Sequence, residues 1–199
     1  MGIQDILQFV KLTHEFQKVE RMVYINGEDR RENDVEHSYQ LAMVAWYIVD
    51  SKKLSLDKNL IIKYALVHDF VEVYAGDTYF YRRSEKEEKD KNKREVDARE
   101  RLIKEYPEFK EFCDLMVRYE LREDEEGRFV YALDKILPIL NIYLDGGRSW
   151  KADNVTLDML ITGKKDKVAV SNEIKPYFDE LVEILSKEKS FFHETKQDK

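Results

Sequence analysis

Apolar residues return along this chain at the three- and four-residue spacing of helix faces, interrupted by short polar stretches. Residues 3 to 23 place Ile6, Leu7, Val10, Phe16 and Val19 near that spacing, which predicts a first helix, and the polar run INGEDRREND then predicts a loop. A second helix is predicted from Asn33 or Asp34, because Asn33 followed three residues later by Glu36 has the form of a capping box and Leu41, Ala42, Ala45, Ile48 and Val49 supply its apolar face. A third is predicted from about Leu56 to Ala75, with Ser55 as N-cap and Gly76 as the stop.

Residues 84 to 106 open on a second S-x-x-E box, Ser84 with Glu87. They run through KEEKDKNKRE before Val96, Leu102, Ile103 and Tyr106, so the first half reads as a solvated or protruding helix. Pro107 suits the first position of the next helix, whose face carries Phe109, Phe112, Met116 and Tyr119. The segment 126 to 145 repeats the theme with Phe129, Val130, Leu133, Ile136, Leu137 and Leu140, and Gly146 and Gly147 stop it. Val168 to Leu185 reads as a C-terminal helix that starts or bends at Pro176, followed by a fraying polar tail over about 187–199. No repeat and no linker interrupts the chain, so the expectation is an all-α fold in a single domain, 1–199.

Composition supports helices. Of 199 residues 43% are hydrophobic, enough for one real core, while 38% are charged and only 7 are Gly and 3 Pro, little turn material for a many-stranded sheet. A net charge of −7 argues against a phosphate-tracking surface for a nucleic-acid polymer, so an anionic partner needs a local positive site. The opening residues MGIQDILQFV lack a secretory pattern, Ile6 stands where a myristoylation signal wants Ser or Thr, and no apolar run reaches membrane-span length. The single cysteine, Cys113, reads as a buried thiol in a reducing compartment. These features place the expectation in the cytoplasm.

The chemistry concentrates at few positions. In the predicted third helix His68 and Glu72 are four apart and Asp69 and Glu72 three apart, so the three side chains share a side. Imidazole with carboxylate is the ligand mix of Zn, Mn, Fe or Co, and the spacing is not that of a zincin protease. An HD dipeptide alone reads as well as a helix-surface pair. The apolar run ALVHD argues instead for burial, where unpartnered polar groups are costly. Asp134 in YALDKILPILN is an acid inside an apolar helical pattern, and Pro138, four residues on, predicts a kink at its carbonyl. His37 lies where a polar run turns into an apolar helix. His14 reads as helix surface or core edge, and His193 as tail.

Three blocks together carry a resemblance: R-x-E-N-D-x-E-H-S (Arg30 to Ser38), V-H-D-x-x-E-x-x-A-G-D-T (Val67 to Thr78) and L-D-K-x-x-P-x-L-N (Leu133 to Asn141). In this order, within about residues 20 to 150, they resemble the HD-domain hydrolases, in particular the branch containing the bacterial 5'-deoxynucleotidases. The resemblance implies an all-helical HD-type domain, a homodimer, and one divalent metal (Mn, Co, Zn, Fe or Mg) on His37, His68, Asp69 and Asp134. It implies Glu72 as the catalytic acid/base, Asp77 beside the leaving sugar oxygen or its hydroxyl, and Arg21 against the phosphate. Arg30 and Lys135 are further candidates for neutralising phosphate, though outside the motif context each reads more readily as a solvated surface charge. The implied activity is hydrolysis of deoxyribonucleoside 5'-monophosphates to nucleoside and phosphate. Other HD reactions, on a cyclic nucleotide, a nucleoside triphosphate or an alarmone, stay open. So do a catalytically inactive nucleotide-binding module and a purely structural metal.

Overall fold

Asn33 starts the helix on which much of the site depends, and it does so with its side chain. In the computed structural model of the protein, which describes residues 1–77 and 85–193, its Oδ1 accepts from the backbone N–H groups of Val35 and Glu36, both at 3.0 Å. Glu36 returns a carboxylate oxygen to the Asn33 N–H at 3.0 Å, completing the predicted box. The helix that follows is one of several in a chain whose contacts gather into two compact units. One is Met1–Arg21 with Asn33–Gly127, and the other is Met22–Glu32 with Arg128–Lys199. No helix among the described residues is long and apolar enough to cross a membrane.

The first unit holds α1 (Ile3–Phe16), α2 (Asp34–Lys52), α3 (Lys58–Val67), α4 (Glu72–Ala75), α5 (Glu85–Glu105) and α6 (Lys110–Leu121). α2 packs on α3, and α3 on α6. Their buried faces carry Leu41, Ala45 and Val49, then Ile61, Tyr64 and Ala65, then Phe112, Cys113 and Met116. Each large apolar side chain removed from water contributes about 1.5–3 kcal/mol before the entropy of ordering it is subtracted. On α1 only Leu12 and Phe16 are buried, and the predicted face residues Ile6, Leu7 and Val10 stay largely exposed. The first half of α5 is solvated, as its charge run predicts. Its proposed cap Ser84 lies outside the described residues, as does Thr78.

Several boundaries differ from the sequence reading. Helix α1 ends at Phe16, and β1 (Glu20–Tyr24) pairs with β2 (Arg31–Asn33) where the helix and loop were expected. Val19, Val23, Tyr24 and Ile25 prefer a pleated surface, and Gly27 turns the chain with φ +79°. The third helix is not continuous. It is capped by Asp57, not Ser55, ends at Val67, and resumes as the single turn α4 after Val71. Hydrogen bonds between residues three apart tighten the intervening turn, including Phe70 N–H to Val67 O at 3.2 Å and Glu72 N–H to Asp69 O at 2.8 Å. That turn stacks Phe70 on Phe16, with ring centroids 4.3 Å apart, and sets it edge-on to Phe112 at 5.2 Å. Pro107 lies in the turn before α6, whose first residue is Lys110.

Helix α7 (Glu125–Leu144) passes Pro138 without a break and ends before Gly146 and Gly147, both at positive φ. In the second unit α8 (Arg148–Ala152) and α9 (Leu157–Val168) precede α10 (Lys175–Leu185), so Val168 ends one helix where it was expected to begin another. Pro176 sits in the first turn of α10, where its missing N–H costs nothing. The described part of the tail is held in place: Phe192 stacks on Trp150 at 4.7 Å, and the His193 N–H donates to Val155 O at 3.1 Å. Residues 194–199 lie outside the described residues.

Replacing Asn33 by alanine is expected to cost about 1 kcal/mol of unfolding free energy, with serine or aspartate restoring most of it. Urea melts of the three variants check this, and an alanine variant as stable as the parent would show that the box contributes nothing.

Candidate metal centre

His37 lies one turn into α2, where the capped N-terminus fixes its direction, and is fully buried. His68 is the C-cap of α3 and keeps the last helical bond, its N–H to Tyr64 O at 3.0 Å. The rings of His37 and His68 stand 5.4 Å apart, and Tyr119 packs edge-on against His68 at 5.7 Å. His37, His68 and Asp69 each offer a ligand atom, and these atoms lie within 4.8 Å of one another. The three come from the first turns of α2, the end of α3 and the tight turn after it, and Glu72 meets Asp69 in a separate group.

The proton arrangement of His68 tests whether this cluster suits a cation. Its Nδ1 lies 2.9 Å from the backbone oxygen of Ala65, which can only accept, so in the neutral ring the proton is on Nδ1 and Nε2 presents a lone pair. Nε2 stands 2.9 Å from Asp69 Oδ2, itself an acceptor. Two acceptors at this separation need a proton or a cation to share. Two ligands at right angles on a metal about 2.1 Å away would be about 3.0 Å apart, so the residues present fit one.

Arg21 supplies positive charge beside it. Its Nη1 donates to Asp69 Oδ2 at 2.6 Å and to Asp34 Oδ1 at 3.0 Å. Asp34, Asp69 and Glu72 form a second group whose ligand atoms lie within 4.8 Å of one another. Glu72 is buried, and its carboxyl is pushed well above the ordinary carboxylate range, first by burial and then by Asp69, Asp34 and Asp77, against the pull of Arg21. Burial likewise raises Asp34 to about 7, with Asp69 adding and Arg21 opposing. Asp77 is half-buried just after α4, close enough to act on both carboxyls. Asp34 is the residue that sequence reasoning missed. It stands inside a quoted motif block, but an acid in the first turn of a helix ordinarily signals only a favourable helix dipole.

The remaining candidates lie in the second unit. Asp134 is 2% exposed on α7 among Leu133, Ile136 and Leu137, which makes it the buried acid that the pattern predicts. Lys135 pairs with the Asp134 carboxylate and lies 5.0 Å from the Tyr131 ring. Arg30 is exposed on the hairpin, donating to Glu28 at 2.8 Å and to the Arg31 carbonyl at 3.4 Å.

A family model described as HD domain matches residues 13–175, most of the chain, including all three motif blocks. The chain belongs to the HD-domain family. This HD-domain protein is 32% identical over 142 residues to the 5'-deoxynucleotidase HDDC2 of Homo sapiens, an alignment covering 70% of the chain and 67% of that protein. It is 34% identical over 139 residues to the same-named protein of Mus musculus, covering 68% and 67%. Among solved structures it is similar to one from Magnetospirillum magnetotacticum MS-1 described as a predicted metal-dependent phosphohydrolase. That match has a TM-score of 0.81 at 26% identity and covers 96% of this chain and 98% of the other.

Proposed function

We propose that the protein is a metal-dependent 5'-nucleotidase that hydrolyses deoxyribonucleoside 5'-monophosphates to nucleoside and phosphate. The observation that carries the reading is the facing pair of acceptors, His68 Nε2 and Asp69 Oδ2, in a buried cluster with His37. The similarity to proteins named 5'-deoxynucleotidase directs it to this substrate class. His37, His68 and Asp69 hold the metal, with Asp134 as fourth ligand. Support for Asp134 is its burial in an apolar helix and its place in the third motif block.

A divalent metal held there supplies Lewis-acid polarisation of a phosphoryl oxygen and makes water near it more acidic. Glu72 accepts the proton of the attacking water and returns it to the departing sugar oxygen, for which its carboxyl must sit within hydrogen-bond reach of both. Arg21 holds phosphate oxygens with a planar fork of donors, a geometry that lysine lacks. Asp77 accepts a hydrogen bond from a sugar hydroxyl and so orients the leaving group. Arg30 and Lys135 complete the neutralisation of phosphate charge, Lys135 from its place beside Asp134.

Loading metal-free protein with Mn, Co, Zn, Fe or Mg and measuring phosphate release from a panel of nucleotides tests the reading. Turnover of deoxyribonucleoside 5'-monophosphates with at least one metal is expected. Products from a cyclic nucleotide, a triphosphate or an alarmone alone would place the protein elsewhere among HD hydrolases, and no turnover of any nucleotide would remove the proposal. The reading includes a cytoplasmic location and a homodimer. The exposed apolar residues Tyr39, Met43, Trp46 and Tyr47 along α2 support the dimer, which light scattering would measure.

A further inference from the structure

We propose that Asp34 is a positioning residue that holds the Arg21 guanidinium at the edge of the metal cluster, in the orientation that receives the substrate's phosphate. The inference rests on the nucleotidase reading and adds to it a residue outside the ligand set and the proton-transfer machinery. Asp34 is completely buried as the first residue of α2 and makes two attachments to the segment that leads into and begins β1. Its backbone N–H donates to Val19 O at 3.1 Å, and its Oδ1 accepts from Arg21 Nη1 at 3.0 Å, two residues further along. The start of α2, which also carries His37, is thereby locked in register with Arg21.

A single nitrogen of Arg21 thus bridges Asp69, a proposed metal ligand, and Asp34, which the proposed ligand set does not include. The distinction matters because a metal and a guanidinium sharing Asp69 repel each other. The hold of Asp69 on the guanidinium would loosen as that carboxylate's charge was taken up. Strand geometry alone would not hold it, since arginine has several rotatable bonds between backbone and fork. Asp34 supplies a second anchor outside the proposed ligand set. Burying that carboxylate is itself unfavourable, and apolar replacements of buried ion pairs are often neutral or stabilising, so stability gives a weak reason for it and orientation a better one.

The test uses the full chain loaded with metal and inorganic phosphate as the probe, read as product inhibition and by calorimetry. Asp34→Ala is expected to weaken phosphate binding and raise KM about 10- to 100-fold, the scale of a misplaced binding group, with metal content unchanged. Asp34→Asn, which keeps an acceptor at Oδ1, is expected to recover most of that loss, and Asp34→Leu, which fills the site without an acceptor and is expected to show the alanine variant's loss, stands in should the alanine variant not fold. In a double-mutant cycle Asp34→Ala is expected to add nothing to Arg21→Ala, because Asp34 acts through Arg21. Phosphate affinity within twofold of the parent in Asp34→Ala, even with a lowered Tm, would overturn the proposal, as would fully multiplicative losses in the double variant. If Arg21→Ala alone binds phosphate normally, the phosphate role of Arg21 falls and this inference with it. If the cycle behaves as expected while no nucleotide is hydrolysed, positioning stands and the substrate reading fails.

Discussion

His68→Ala is expected to leave the protein folded but without its metal. The variant's metal content, read by mass spectrometry after dialysis, should fall below a tenth of the parent's. Phosphate release should fall by about 10³ or more, since a metal's polarisation of phosphate is worth several kcal/mol and each 1.4 kcal/mol is a factor of ten. The loss follows from geometry. His68 turns one nitrogen to the Ala65 carbonyl and the other to Asp69, so removing the ring takes away the proposed ligand and leaves a cavity beside the Asp69 carboxylate. The helix should survive, because the bond that closes α3 there is made by the backbone of His68. Full metal content and activity in the variant would disprove the ligand assignment. His68→Gln, closer in volume, separates loss of the ligand from loss of packing.

Glu72→Gln should behave oppositely toward the metal. Content is expected to match the parent, with KM nearly unchanged, while kcat falls about 10²- to 10⁴-fold, the range for removing a general acid or base. In the metal-free protein stability should not fall and is expected to rise modestly, because the substitution removes one carboxyl from a buried set whose members raise one another's proton affinity. A kcat within threefold of the parent, with metal bound, would rule out the proton-transfer role. The pair of variants thus divides the site into a part that holds the ion and a part that moves the proton.

Much of this was legible in order along the chain. The capping box at Asn33, the glycine stop after α7 and the buried acid at Asp134 depend on residues a few positions apart, where side chains meet the backbone by local rules. The hairpin was read as helix and loop because Val19 to Ile25 fits helical spacing as well as strand alternation, and short apolar runs do not separate the two. The break after Val67 was missed for another reason. Nothing local forbids continuing the helix through VHDFVEVYA, and what accompanies the turn is Phe70 seated between Phe16 and Phe112, distant in sequence.

By itself, then, the sequence determined the helical class, the donor types and the order of the three motif blocks, since composition, caps and periodicity act over single turns. The tertiary structure decided how the donors meet. It set His68 at a helix end with its Nδ1 on a carbonyl, and it brought Arg21 from a strand onto Asp69. It also turned Asp34 from an ordinary first-turn acid into a buried anchor. Those outcomes depend on which side chains lose water together, and burial is a property of the packed chain that no window of sequence contains.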